Sequence, residues 1–469
     1  MQPQGKRQVI ISFRPEHLLG WGVTIAACVI PVVLWLRIHP LATIQGYTGI
    51  MLSLGRVTGL VGFVMYSLNL VYSTRWRFLE RFFGGLNRVY IAHHLLGGLA
   101  LILLSFHPVF LALRYIFTSF KQAALLMLPN GLTPLSALFD PSAESHALVL
   151  EQWAIFFGLI AFWAMVVLLL VTFFIKLPYR IWLLSHKFLG AAFFFAGLHV
   201  LFITSDTTTH PELMAYMLGA TGLGLYAFAY KTLFGPIIIK RQPYLVNLVK
   251  SLPGSVYQIT LTPQQKALSF HPGQFVFVRF LGAQKTGISQ EWHPFSISSG
   301  PDDTNLQLSV KALGDYTSKL GALPVGTKAQ VEGAYGRFSF VHYRNPLQVW
   351  VAGGIGVTPF LSMARRLPQI DYRIDLYYSV KTASELIDAD VLEQIASQTG
   401  GRFRVIQFVS DQQNGAFLDA NFIEKTTGPL SKFEVYVCGP PPMMAAMRRQ
   451  FRGKGVPNAR IHTEEFAMS

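Results

Sequence analysis

The stretch "HHLLGGLALILLSFHPV", residues 93–109, sets a histidine at each end of an apolar run long enough to lie in lipid. An imidazole at bilayer depth costs free energy unless it finds a partner, so ionisable groups inside spans mark functional positions. A second stretch, "HKFLGAAFFFAGLHV" at 186–200, repeats the arrangement. His93 and His107 stand 14 residues apart, and His186 and His199 stand 13 apart. At a rise of about 1.5 Å per residue, each helix therefore carries imidazoles at two levels roughly 20 Å apart.

Working outward, the 469 residues are 51% hydrophobic with a mean hydropathy of +0.39, unevenly spread. Six windows meet the length of a spanning helix, at 21–38, 48–72, 90–115, 153–175, 182–204 and 213–234. From residue 235 the chain alternates β-rich runs with Gly/Pro turns and a few helical patterns. The expected organisation is a lead-in at 1–20, a six-helix membrane domain at 21–234, a small β-barrel at 235–342 and an α/β domain at 343–469.

The net charge of +15 is concentrated in alternate connections. Lys6, Arg7 and Arg14 precede the first window; Arg75, Arg77, Arg81 and Arg88 lie between the second and third; Lys176, Arg180 and Lys187 follow the fourth; Lys231, Lys240 and Arg241 follow the sixth. The other connections hold few cations, so the positive-inside rule places both termini and the whole second half in the cytoplasm. In the membrane half the cations sit at membrane edges, which argues against nucleic-acid binding. The N-terminal segment lacks the short apolar core and cleavage site of a signal peptide and reads as an amphipathic lead-in. Cys28 and Cys438 are the only cysteines, too few for a disulfide framework or a cysteine-ligated metal.

Both histidine-bearing helices run from inside to outside, so His93 shares a level with His186, and His107 with His199. Two levels with two facing imidazoles each suit two stacked six-coordinate haems. Copper or zinc would take three or four ligands per site, and only two are available. A single histidine of this kind reads more simply as an interhelical hydrogen-bonder or proton relay; four matched in depth favour ligation. In a straight helix 14 steps return a side chain to within about 40° of its face, whereas 13 leave it about 140° away. The second helix is therefore expected to bend or cross obliquely, with Gly190 and Gly197 as the places for it. His94, 13 residues from His107, rivals His93 as the inner ligand. Arg56, in "LGRVTGL", needs a partner, either a haem propionate or a protein carboxylate.

In the second half, "HPGQFVFVRF" (271–280), "HPFSISS" (293–299), "VKALGDYTSKL" (310–320) and "GAYGRF" (333–338) read as strands and turns of an antiparallel barrel. An aromatic beside a hydroxyl in "PFS" could stack on a flavin ring and hydrogen-bond its N5. "VWVAGGIGVTPFLSMARRL" (349–367) reads as a buried strand, a Gly-rich turn and an amphipathic helix. Gly353, Gly354 and Gly356 would let the backbone approach a pyrophosphate at that turn. "IDLYYSVK" (374–381) ends with Ser379 and Lys381 where a second parallel strand meets the adenosine ribose; a cation with no acidic residue at the strand tip favours NADPH over NADH. "FEVYVCGPPPMMAAM" (433–447) repeats the strand, turn and helix pattern.

With these motifs in this order, the chain resembles the NADPH oxidase and ferric reductase superfamily of transmembrane flavocytochromes b over nearly its whole length. "RVYIAH" ending at His93, "LHVL" around His199 and Arg56 look like the family's haem domain, and "HPFSISS", "GDYT", "GGIGVTP" and "CGPPPM" like its reductase module. The resemblance implies an α-helical six-span transmembrane haem bundle, an antiparallel β-barrel FAD domain and an α/β parallel-sheet nucleotide-binding domain. It implies two b-type haems on His93, His186, His107 and His199, with Arg56 at a propionate. FAD would meet His293, Pro294, Phe295, Ser296, Lys311, Gly314, Tyr316 and Thr317. NADPH would meet Gly353, Gly354, Gly356, Thr358, Pro359, Ser379, Lys381, Gly439 and Pro440. Cys438 would sit near the nicotinamide, and Glu464 and Phe466 match the family's late acid and its aromatic lid on the flavin. One departure is that Ala467, Met468 and Ser469 follow that aromatic, which commonly ends the chain.

The activity so implied is electron transfer from cytoplasmic NADPH through FAD and the haems to an outer acceptor, O2 giving superoxide. The rivals are a ferric or other metal-chelate reductase with the same wiring, and a non-enzymatic membrane transporter gated by a nucleotide-binding tail. Neither a calcium loop nor a Pro-rich docking motif is present, so regulation by calcium or a partner subunit is not expected.

Overall fold

The computed structural model describes residues 15–128, 146–343 and 345–464, which fall into two compact units. The first holds six long helices: α1 (Pro15–Ile38), α2 (Gly46–Tyr72), α3 (Leu86–Leu113), α4 (His146–Phe174), α5 (Tyr179–Phe202) and α6 (Pro211–Phe228), the last running on through a π-helical turn at Ala229–Leu233. All six are long and apolar enough to cross a membrane. Their ends lie close to the predicted windows, except that α1 starts within the segment expected to be lead-in. Large apolar side chains such as Ile25, Ile102 and Leu170 point outward while Trp35, Phe63, Val64 and Phe193 are buried. Helices apolar all round, with no polar stripe, are stable in this form in lipid.

The bundle interior is built by small residues that let helices approach closely. Gly55, Gly59 and Gly62 share one face of α2, where added Cβ atoms would stand 2.7 Å from Leu111, 2.5 Å from His107 and 2.8 Å from Leu104 of α3. α4 lies along α5, and α6 packs on α2 and α5. α5 is one continuous helix from Tyr179 to Phe202 with Gly190 and Gly197 inside it. These glycines admit α6: a Cβ at Gly190 would stand 2.1 Å from the Phe228 ring, and one at Gly197 2.7 Å from Thr221.

The second unit holds two sheets. β1 (Gln242–Leu252), β2 (Val256–Pro263), β3 (Phe275–Leu281), β4 (His293–Ser296), β5 (Leu306–Lys311) and β6 (Lys328–Tyr335) form an antiparallel sheet in the order β4-β3-β6-β1-β2-β5. Alternate residues such as Val276, Val278, Phe280, Ile259 and Leu261 fill its core. β7 (Leu347–Gly353), β8 (Arg373–Val380), β9 (Phe403–Val409), β10 (Glu434–Cys438) and β11 (Ile461–Glu464) form a parallel sheet in the order β11-β10-β7-β8-β9. Its crossovers carry α7 (Thr358–Ala364), α8 (Ala389–Gln398), α9 (Ala420–Thr427) and α10 (Pro441–Gly453). α7 departs from the amphipathic helix predicted, since all seven of its residues are buried and the first charged side chains are Arg365 and Arg366 beyond its end.

Because the Phe228 ring occupies the space beside Gly190, Gly190→Ala should destabilise the bundle by about 1–3 kcal/mol through overpacking. A thermal melt of the detergent-solubilised protein checks this; an unchanged melting temperature would contradict the α5–α6 contact.

Candidate functional site

Both histidine pairs face one another inside the bundle. The His93 and His186 rings lie 6.1 Å apart between centroids with their planes at 72°, and those of His107 and His199 lie 6.4 Å apart at 73°. Two imidazole nitrogens bound at about 2 Å to one metal ion put their ring centres about 6 Å apart, so each gap has the size of one ion between opposed nitrogens. Among the described residues no hydrogen bond joins the rings of either pair, and no group of three or more metal-ligating side chains occurs.

Second partners fix the tautomer. His93 Nδ1 donates to the Asn69 carbonyl at 3.0 Å, His107 Nδ1 to the Gly55 carbonyl at 2.7 Å, and His199 Nδ1 to the Ala154 carbonyl at 2.8 Å. A carbonyl only accepts, so each Nδ1 carries the proton and each Nε2 keeps its lone pair for a ligand. Glycines make room for this at the outer level, where a Cβ at Gly59 would stand 2.5 Å from His107 Nδ1 and one at Gly158 2.7 Å from His199 Nδ1. Asn69 also donates from Nδ2 to the His93 carbonyl at 2.5 Å, clamping that residue from two sides. His94, by contrast, is exposed on the outside of the helix.

A cavity of about 330 Å³ adjoins the outer pair, lined largely by apolar side chains with Arg56, Arg114 and Asp206. Arg56 Nη1 lies 2.6 Å from Asp206 Oδ2, a carboxylate partner of the kind considered for it. The same oxygen accepts from Trp35 Nε1 at 3.0 Å and lies 3.1 Å from His39 Nε2. Sequence reading did not pair Asp206 with Arg56 and passed over Asn69, Gly59, Gly158 and His39. The small-xxx-small spacings Gly55/Gly59 and Ala154/Gly158 were the available signal, commonly read as helix-packing faces.

In the barrel, His293 stacks on Tyr316 with ring centroids 3.5 Å apart. His293 Nε2 and the Tyr316 hydroxyl are buried without a hydrogen-bond partner, polar atoms that a bound phosphate or flavin would satisfy. Burial holds His293 below its usual pKa despite Glu291 at 3.8 Å, and pushes Tyr316 above its own, so both are neutral near pH 7. Thr317 Oγ1 accepts from the N–H groups of Leu313 and Gly314 at 3.0 and 3.1 Å, ordering the Gly314 turn. Phe295 is buried in the barrel core, Ser296 pairs with Phe275, and Lys311 ends β5.

The parallel strands bring the nucleotide residues to their C-terminal ends. Gly354 turns the chain with φ +54° after β7. A Cβ at Gly353 would stand 2.4 Å from Met443 Sδ, and one at Gly356 2.2 Å from the Cys438 carbonyl, so this turn closes directly onto Cys438–Gly439–Pro440. Thr358 and Pro359 begin α7, and Ser379 pairs with Gly353 across the sheet. Cys438 is fully buried, its Sγ donating to the Glu464 carbonyl at 3.6 Å, and burial pushes its pKa well up, keeping it a neutral thiol. Phe466 lies outside the described residues. At the β8 tip the premise of an acid-free site fails: Glu385 folds back so that Oε2 accepts from the Lys381 N–H at 3.3 Å, and the Asp411 N–H donates to the Lys381 carbonyl.

Comparisons with known proteins divide the chain the same way. Residues 58–197 match the ferric reductase like transmembrane component, 243–345 an FAD-binding domain and 350–449 an oxidoreductase NAD-binding domain. The toluate 1,2-dioxygenase electron transfer component of Pseudomonas putida is 28% identical over 234 residues, 48% of this chain and 67% of that protein. The xylene/toluene monooxygenase electron transfer component of the same organism is 26% identical over 235 residues, 47% of this chain and 64% of that protein. The chain thus spans about two-thirds of the length of these curated relatives. Among solved structures, a cytochrome P450 reductase of Amycolatopsis shares 23% identity over 48% of this chain and 70% of its own, at a TM-score of 0.41.

Since no Cβ fits at Gly356, Gly356→Ala should raise the KM for the nicotinamide donor at least about tenfold, the effect of about 1.4 kcal/mol of lost binding. Dye reduction by the flavin module measures it; an unchanged KM would place the dinucleotide elsewhere.

Proposed function

We propose that this chain, which belongs to the NADPH oxidase and ferric reductase superfamily, moves electrons from a cytoplasmic nicotinamide dinucleotide through FAD and two bis-histidine haems to an acceptor on the opposite side of the membrane. The observation that carries the reading is the two ion-sized histidine gaps, with the Nδ1 atoms of His93, His107 and His199 held by helix carbonyls. Two protein ligands and no third among the described residues suit iron whose remaining four ligands come from a porphyrin. When bound, flavin turns a two-electron hydride donor into single electrons and haem iron accepts them one at a time.

The chain's own groups do the rest. His93 and His186 would hold the inner haem, and His107 and His199 the outer. His293 and Tyr316 present neutral hydrogen-bonding atoms to FAD, with Pro294, Phe295, Ser296, Lys311, Gly314 and Thr317 around it. Gly353, Gly354, Gly356, Thr358, Pro359, Ser379, Gly439 and Pro440 bind the dinucleotide. The neutral Cys438 thiol would lie near the nicotinamide, with Glu464 as the late acid and Phe466 as the aromatic lid on the flavin. Lys381 favours a 2′-phosphate and Glu385 opposes it; NADPH is the donor we assign, with the acid limiting the preference. An inside-negative potential would assist each crossing electron by about 2.3 kcal/mol per 100 mV.

For the acceptor we assign O2, yielding superoxide. The cavity lined by His107 and His199 is the space the outer haem would fill, and Arg56 and Arg114 at its border would favour an anionic product. A ferric chelate is the competing acceptor.

Purified protein given FAD and NADPH without air should show reduced haem bands, and air should reoxidise them with cytochrome c reduction sensitive to superoxide dismutase. Bands that persist in air and collapse only with ferric chelate make the protein a metal reductase; the lack of a Soret band removes the haem reading. Both His199→Leu and Gly158→Ala should lower the haem content toward half, and full content in either variant would overturn the outer ligand assignment. Lys381→Ala should raise the KM for NADPH more than for NADH, and Glu385→Gln should lower the KM for NADPH; equal effects on the two donors would refute the assigned roles.

A further inference from the structure

Two arginines line the cavity that His107 and His199 share, and they differ in their partners. Arg56 is matched: its Nη1 lies 2.6 Å from Asp206 Oδ2, and the same oxygen accepts from Trp35 Nε1. Arg114 is not. Among the described residues no carboxylate pairs with it, and its Nε is buried without a hydrogen-bond partner. Its guanidinium lies over the Tyr115 ring, with Cζ 4.4 Å from the centroid. The cavity wall thus carries a positive charge and an N–H donor that no protein group answers, which is costly unless an anion joins them.

Helix geometry puts this charge on the side of the outer pair. Arg114 follows His107 by seven residues, and its N–H still reaches back to the Phe110 carbonyl at 3.4 Å, so the helical path of α3 holds through it. Seven steps are two turns: they return the side chain to within about 20° of the His107 face, at a rise of about 10 Å. Elsewhere the cavity is lined by apolar groups such as Phe63, Leu104 and Met165. The anion that fits here must therefore also bring apolar surface.

From this we infer that Arg114 anchors a carboxylate of the outer haem, as a second cation beside Arg56, and that it raises that haem's midpoint potential. The inference rests on the haem reading above. A guanidinium offers a planar fork of N–H donors that a carboxylate accepts in pairs, and the orphaned Nε–H is one tine of that fork. Reduction adds a negative charge to the haem, so a cation held nearby favours the reduced form. A unit charge about 10 Å away, at an effective dielectric of about 20, changes the ratio of reduced to oxidised haem roughly tenfold at a fixed potential.

The test is a spectroelectrochemical titration of the full-length protein, followed at the haem bands and fitted as two one-electron components. Arg114→Leu should lower the midpoint of the component that His199→Leu removes, with a roughly tenfold loss of its reduced form at a fixed potential, and leave the other in place. Arg114→Lys, which keeps the charge, should stay near the wild type. Unshifted midpoints, equal shifts of both, or a lysine variant as low as the leucine one overturn the inference. So does a wild-type midpoint that follows chloride concentration, since the guanidinium would then hold a free anion. Should Arg114→Leu fail to fold or to keep haem, resonance Raman spectra of Arg114→Lys decide: the propionate bending band must shift as the fork is lost, and an unchanged band overturns the anchor. The haem reading fails separately, by the absence of any Soret band in the wild type.

Discussion

The bundle depends on one interaction, an imidazole N–H donated to a helix carbonyl that is already hydrogen-bonded. Each helical carbonyl accepts the N–H four residues on and keeps a second lone pair. Side chains tilt toward the helix N-terminus, so the residue four positions on overhangs that lone pair. Glycine at 59 and 158 removes the overhang over Gly55 and Ala154, and the histidines of α3 and α5 come close enough to bond. The same bond satisfies a polar atom that lipid would leave costly and aims the other nitrogen into the bundle.

Close approach through glycine recurs in the reductase half with a different purpose. There Gly353 and Gly356 bring a turn against Cys438 and Gly439, joining the tips of β7 and β10 into one surface for a dinucleotide backbone. Asp206 is held by Arg56 and Trp35, with His39 alongside, so this charge inside the bundle is paired. His293 and Tyr316 leave buried polar atoms unpaired beside the flavin motif, as a site that waits for a ligand does.

Much of this was legible in the one-dimensional pattern. Span length and apolarity located six helices to within a few residues, because bilayer thickness is a strong constraint on sequence. Histidine spacing indicated two levels, because rise per residue is nearly invariant. Gly190 and Gly197 admit Phe228 and Thr221, a role hidden in the sequence, where such a glycine looks the same as one that loosens a helix. The partner of Arg56 was equally hidden: Asp206 lies 150 residues away, and only the folded bundle brings α1, α2 and the α5–α6 connection together.

The β8 tip shows where such reading stops. A strand tip read as a position ends at Lys381 and shows a cation alone. In the fold, the chain reverses through a short 3-10 turn at Ala383–Glu385, and the Glu385 carboxylate returns to the Lys381 N–H. A backbone N–H at a strand end has no ladder partner, and a carboxylate four residues on is within reach of it. The acid is drawn there by an unsatisfied donor rather than by the ligand. On the proposed function, dinucleotide choice at this tip would be set by two side chains of opposite sign placed for different reasons, one by the strand and one by the turn that ends it.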